Sequence, residues 1–206
     1  MLVFLVVFSK IIVCLKIKKE KKMLTNNKRE KMKIAVSLPR LSYDNVLAEK
    51  LISATKFISK ELRSFKKLSR LKIKINVRRT TLGTRTLGRV THDSKFFAQK
   101  EFVIELHSNQ STSEMITTLA HELVHIKQGV SKEVVYKFDK ELNKLFVSWK
   151  GKDLGEVGQV PYRERPYEIE AFSKEQILAD MFLIPTQASV KFFREKLKEL
   201  NNKENQ

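Results

Sequence analysis

Cysteine is nearly absent from this chain: Cys14 is the only one among 206 residues. A single thiol cannot build a disulfide framework or a cysteine-based zinc knuckle, so any metal site must use histidine and carboxylate. That usage fits a reducing, cytoplasmic setting. Long apolar runs are also missing. Residues 2–8 and 11–15 are apolar, but Ser9 and Lys10 divide them, and a membrane-spanning helix needs about 20 apolar residues. As a secretion signal the segment lacks a basic start and a small-residue cleavage site. No integral membrane span is expected, and no internal repeat appears.

Acidic residues are scarce in one half only. Residues 1–89 carry 24 Lys/Arg against 5 Asp/Glu, whereas residues 90–206 carry 17 against 18. The overall charge of +18 therefore belongs to the N-terminal half. A basic field attracts nucleic acid, anionic membrane or acidic protein, although lysines also solvate exposed faces. Few aromatics interleave with the basic residues between Lys56 and Arg89. Phosphate contact is thus the nucleic-acid chemistry on offer there, rather than base stacking.

With 42% hydrophobic residues and 13 Phe, the chain is not globally disordered and can bury a core as one domain. Residues 1–33 read separately, as a basic and apolar tail. It is either an extension upstream of a true start at Met23 or Met32, the preferred reading, or a weak membrane-surface segment with a polybasic follow-up. Residues 34–206 read as the folded domain. Leu47, Leu51, Ala54, Ile58, Leu62 and Phe65 recur on one helical face, with Ser42 or Asp44 as cap. Ile73, Ile75 and Val77 alternate with polar residues as a strand. A second strand is expected at 86–91, after Gly83, and a third at 101–107. The 3-4-3-4 rhythm of Val135, Phe138, Leu142, Leu145 and Trp149 reads as a helix. A loop follows at 151–161, then a helix from Pro166 to about Leu183, and a last helix through Val190, Phe193, Leu197 and Leu200. The expected class is α+β: a short three-stranded sheet packed on helices.

The chemistry concentrates at His121-Glu122-Leu123-Val124-His125. Met115, Ile116, Leu119, Ala120, Leu123 and Val124 recur at helical spacing, with Ser111 or Ser113 as cap. Two imidazoles one helical turn apart can share one Zn²⁺. Glu122 is positioned to take a proton from a water activated by that ion. A catalytic zinc takes three protein ligands. No histidine follows the motif, and His92 and His107, the other two, fall on strands or strand ends, where a solvated histidine is the simpler reading. A downstream carboxylate is the better third ligand. Glu168 and Glu170 are two apart, about 200° around a helix, so only one can face the histidines. Glu168 is favoured, because small Ala171 lies on its face, and Ile169, Phe172 and Gln176 leave the Glu170 side more exposed.

Residues 121–128 (His-Glu-Leu-Val-His-Ile-Lys-Gln), Trp149-Lys150-Gly151 and residues 166–172 (Pro-Tyr-Glu-Ile-Glu-Ala-Phe) together resemble small, phage-type SprT-like or minimal gluzincin metallopeptidases, over roughly residues 40–185. The resemblance implies a small zincin-like domain in which a glutamate helix follows the metal-binding helix. It implies a zinc-dependent peptidase acting on a peptide or protein, with His121, His125 and Glu168 as ligands and Glu122 as general base. Two departures stand out. The position four after Glu168, where gluzincins often carry a polar buttress for a zinc-bound histidine, is Phe172. The third histidine of SprT proteins has no counterpart. Tyr162 and Tyr167 are the nearest candidate donors to an oxyanion. The strand at 101–107 would pair with an extended substrate if it lay at the sheet edge. The rival reading is a basic nucleic-acid-binding protein with a structural or degenerate zinc site.

Overall fold

The computed structural model describes residues 32–39, 45–62, 71–79, 87–91 and 101–203. The chain divides into Met1–Lys31 and Met32–Gln206, and every described residue lies in the second unit. Residues 1–31 of the expected tail, Met23 among them, the caps expected at Ser42 or Asp44, Phe65, Gly83 and His92 fall outside the described residues, whereas Met32 and Lys33 are described and Lys33 opens β1. The elements are β1 (Lys33–Ser37), α1 (Asn45–Glu61), β2 (Lys72–Arg78), β3 (Gly88–Thr91), β4 (Glu101–His107) and α2 (Thr112–Val130). Then follow β5 (Val134–Asp139), β6 (Lys144–Trp149), β7 (Lys152–Glu156), a 3₁₀ turn (Tyr162–Glu164), α3 (Pro166–Leu183) and α4 (Gln187–Lys203). The protein is thus a mixed α and β structure. No described helix is long and apolar enough to cross a membrane.

The first sheet runs β1-β2-β4-β3. Strands β1, β2 and β4 are parallel, and β3 is antiparallel to β4. Period-two patterning explains β2: Ile73, Ile75 and Val77 are buried, while Lys72 and Lys74 point outward. Strand β4 is more deeply buried, and Phe102, Ile104, Glu105 and Leu106 are all interior. Helices α1 and α2 pack on this sheet through Leu51, Ala54, Ile58, Ile116, Leu119 and Leu123. Truncating fully buried Leu119 or Ile104 to alanine should cost about 2–5 kcal/mol.

Three expectations need correction. The three expected strands join a fourth, β1, and a separate three-stranded sheet exists, β5-β6-β7. Strand β4 is interior, so it cannot accept a substrate strand. The edge is β3, and among the described residues no strand pairs with its outer side. Finally, the helix expected through Val135–Trp149 is a β-hairpin, and β7 occupies part of the expected loop at 151–161.

The hairpin wins on period two. Val134, Tyr136 and Phe138 oppose Trp149, Val147 and Leu145 in register, so three members of the 3-4 rhythm, Phe138, Leu145 and Trp149, share one face of the hairpin, while Val135 lies on the other face and Leu142 in the turn. Aromatic and β-branched residues prefer this pleated surface. Turn chemistry completes it. The Asp139 side chain accepts from the backbone N–H groups of Glu141 and Leu142, and Asn143 takes a positive φ of 50°. Lys150 (φ 47°) and Gly151 (φ 83°) form a two-residue turn with both φ positive, which matches strand twist between β6 and β7.

Candidate metal centre

Helix α2 begins with a reciprocal cap. Ser111 Oγ accepts from the Glu114 backbone at 3.2 Å, and the Glu114 carboxylate accepts from the Ser111 backbone at 2.7 Å. Ser111, rather than Ser113, is the cap. From this start, one helical turn separates His121 from His125. Both imidazoles face α3, which begins with Pro166 in its first turn, where a missing N–H is harmless.

Helix α3 brings Glu168 to the histidines. Its Oε2 lies 3.3 Å from His121 Nε2 and 3.2 Å from His125 Nε2, and the two Nε2 atoms are 3.0 Å apart. These three residues form the group able to hold a metal ion among the described residues. A tetrahedral zinc with bonds of about 2.0–2.1 Å sets its ligand atoms roughly 3.3 Å apart. The triangle therefore fits three of the ligand positions of such an ion.

The charges of the protein by itself support the same fit. Burial opposes the charged form of His121, but Glu168 and Glu175 outweigh it and raise its pKa to about 9. Burial likewise opposes a charged His125, and Glu168 again overcomes it and raises the value. Burial pushes Glu168 up, yet the two imidazoles and the Tyr162 hydroxyl pull it down to about 2. Glu168 thus favours positive charge on the imidazoles, and a divalent cation can take the place of that charge.

Each histidine is also fixed from behind. His121 Nδ1 lies 2.7 Å from Glu175 Oε2, and the Phe172 ring packs on the His121 ring at 4.9 Å between centroids. His125 Nδ1 lies 2.8 Å from Gln128 Oε1. Such partners fix the ring tautomer and its orientation. The buttress missing at Phe172 is supplied by Glu175, seven residues after Glu168 and so two turns along the same helix face. Gln128 lies three residues after His125, again on one face. That spacing is the sequence signal for both.

Glu170 does not approach the histidines. It is buried, only 2% exposed, which corrects the expectation of an outward side. Apolar residues are spread around α3, so no single stripe marks its buried face. Glu170 meets Lys127, Lys174 and Gln128 instead. Burial raises its pKa, but the two ammonium groups outweigh that and hold it at about 2. His107 ends β4, where its Nδ1 accepts from the Asn109 backbone at 3.0 Å, away from the cluster.

Glu122 is 5% exposed. Burial raises its pKa, and the nearby histidines and a hydrogen bond from the Val90 backbone N–H oppose the rise. Strand β3 lies close over α2 because position 88 has no side chain. A Cβ at Gly88 would sit 2.4 Å from Thr118 Cγ2 and 3.2 Å from Glu122 Oε1. The two tyrosines part company. Tyr167 is 3% exposed, and its hydroxyl is hydrogen-bonded to that of Tyr136. Tyr162 is half exposed, and its hydroxyl donates to Glu168, with burial and that carboxylate raising its pKa. Glu122, Tyr162, Tyr167 and Glu168 border a cavity of about 310 Å³ that also reaches His125 and Val90.

No family model, curated protein or solved structure matches this chain.

Proposed function

We propose that this protein is a zinc-dependent metallopeptidase of the gluzincin type. The carrying observation is the His121–His125–Glu168 triangle, with sides of 3.0, 3.2 and 3.3 Å, one residue from a buried carboxylate. His121, His125 and Glu168 would hold the ion. Bound zinc would polarise a substrate carbonyl and lower the pKa of a water from 15.7 toward about 7.

The remaining work falls to the chain. Glu122 takes the proton of the attacking water and delivers it to the departing amine nitrogen. Its burial raises its proton affinity, which suits a group that must both accept and return a proton near neutral pH. Tyr162 donates its hydroxyl to the developing oxyanion. Its half-exposed position supports that role over buried Tyr167, and its hydroxyl would exchange Glu168 for the oxyanion. An extended substrate adds to the outer edge of β3, the strand whose Val90 N–H reaches Glu122. Glu175 and Gln128 keep the imidazoles oriented. The lone cysteine supports a reducing, cytoplasmic setting.

The test is Glu122→Gln against an unbiased peptide library. The zinc-loaded parent should cleave. The variant should retain its metal and lose turnover by about 10²–10⁴-fold. Equal cleavage by both proteins would refute the role of Glu122.

A further inference from the structure

We infer that Glu170, the buried carboxylate two residues from Glu168, positions His125 by dictating which way the Gln128 amide faces. This rests on the zinc reading above.

His125 directs Nε2 at His121 and Glu168 and Nδ1 at Gln128. To ligate through Nε2, the ring must carry its hydrogen on Nδ1, so Nδ1 needs an acceptor. A glutamine side chain presents an acceptor on one side and a donor on the other, in nearly the same shape. Turned the wrong way, it would put an N–H against Nδ1 and favour the tautomer that cannot bind metal through Nε2.

The surroundings of Gln128 remove that ambiguity. Its Nε2 donates to Glu170 Oε2 at 2.8 Å and to the Tyr167 carbonyl at 2.9 Å. Both partners only accept, so Oε1 is left to face His125. Glu170 is itself kept in its acceptor form. Lys127 and Lys174 both donate to its Oε1, and two ammonium donors on one oxygen favour the carboxylate form. The order of command runs from the lysines to the carboxylate, then to the amide, then to the imidazole. Glu170 and Gln128 are fully or almost fully buried, so water does not compete for these bonds.

Glu170→Gln tests this with almost no change of shape. The lysines can only donate, so they claim the new amide oxygen and leave its NH₂ facing the NH₂ of Gln128. Gln128 must then turn, or lose a hydrogen bond. Zinc affinity, read by chelator competition on the full chain, should fall at least about tenfold. Adding Gln128→Glu restores the acceptor: the NH₂ introduced at position 170 donates to a carboxylate at position 128, which accepts from His125 Nδ1, at the cost of the hydrogen bond to the Tyr167 carbonyl. The double variant should therefore bind zinc more tightly than the single one while staying below the parent. Thermal unfolding of each variant without zinc separates folding from affinity. A purely structural Glu170 would show altered stability and no rescue of affinity. The inference is overturned by an unchanged affinity in Glu170→Gln, or by a double variant weaker than the single. A parent that takes up no zinc fails the reading of the site itself. A parent that binds zinc while Glu170→Gln binds it equally well fails this inference only.

Discussion

The α2–α3 interface and the β5-β6-β7 sheet wall the same cavity but are built differently. Between the helices, seven polar side chains lie wholly or mostly out of water: His121, Glu122, His125, Gln128, Glu168, Glu170 and Lys174. Each has a named partner within the interface or on β3. Buried polar groups cost a great deal unless paired, so this interface has few tolerable rearrangements. The sheet is held by a small cluster of Val134, Val147 and Tyr167, and beyond it Phe138, Leu142 and Leu145 stay exposed. On the proposed reading, the chemistry belongs to the polar interface, and the sheet is a wall of the cavity.

The largest effect should come from breaking the interface at its ligands. His121→Ala or His125→Ala should release zinc, and Glu168→Ala should weaken binding by more than about 100-fold, beyond the 10–100-fold typical of supporting groups. Glu170 variants should fall within that smaller range. Zinc dissociation constants decide this, and a Glu170 variant that loses more affinity than Glu168→Ala would reverse the assignment.

A second effect is set by pH. In the protein without zinc, His121 has its pKa raised from 6.5 to about 9. Its contribution to stability is therefore fully present below about pH 6.5 and lost as pH rises through about 9. Zinc needs the neutral ring, so its uptake must expel that proton. Apparent affinity should climb about tenfold per pH unit between pH 7 and 9, with proton release measurable by calorimetry in buffers of different ionisation enthalpy. A flat profile would contradict the ion pair. Glu170 gives the opposite sign: with its pKa held at about 2, its stabilisation is present above the usual carboxylate range and lost as pH falls from there toward 2.

The junction between the two regions and β3 offers a subtler cut. Gly88→Ala drives a Cβ against Thr118, whose hydroxyl is tied to Gln110 at 2.7 Å. Overpacking of this kind costs about 1–3 kcal/mol. Denaturant unfolding should show that loss while zinc content holds, and turnover should fall because β3 shifts from Glu122. On the sheet, Phe138→Ser should change stability by about 0.5 kcal/mol or less and leave zinc affinity alone. A large loss of metal there would show that the wall and the interface are one unit.

The same contrast explains what was legible in the sequence. The His121/His125 pair and Glu168 could be read because helical spacing fixes which side chains share a face, and the cap at Ser111 and Pro166 mark both helix starts. Glu175 obeys the same rule but lies two turns from Glu168, and the position one turn along is Phe172. The burial of Glu170 was hidden, because α3 is covered on more than one side and its lysine partners come partly from another helix. The hairpin was hidden too, since Val135, Phe138, Leu142, Leu145 and Trp149 keep a helical rhythm although they are divided between both hairpin faces and the turn. Only the turn residues Asp139, Asn143 and Lys150-Gly151 break the tie. The order of strands, which puts β3 rather than β4 at the edge, depends on pairing between distant segments that no local pattern encodes.

Elemental analysis of the purified full-length protein tests the central claim most directly, with the parent and Glu122→Gln measured beside a His121→Ala/His125→Ala double variant. The parent and Glu122→Gln should each carry one zinc per chain, and the double variant none. A parent without zinc, or a double variant with a full complement, would contradict the account.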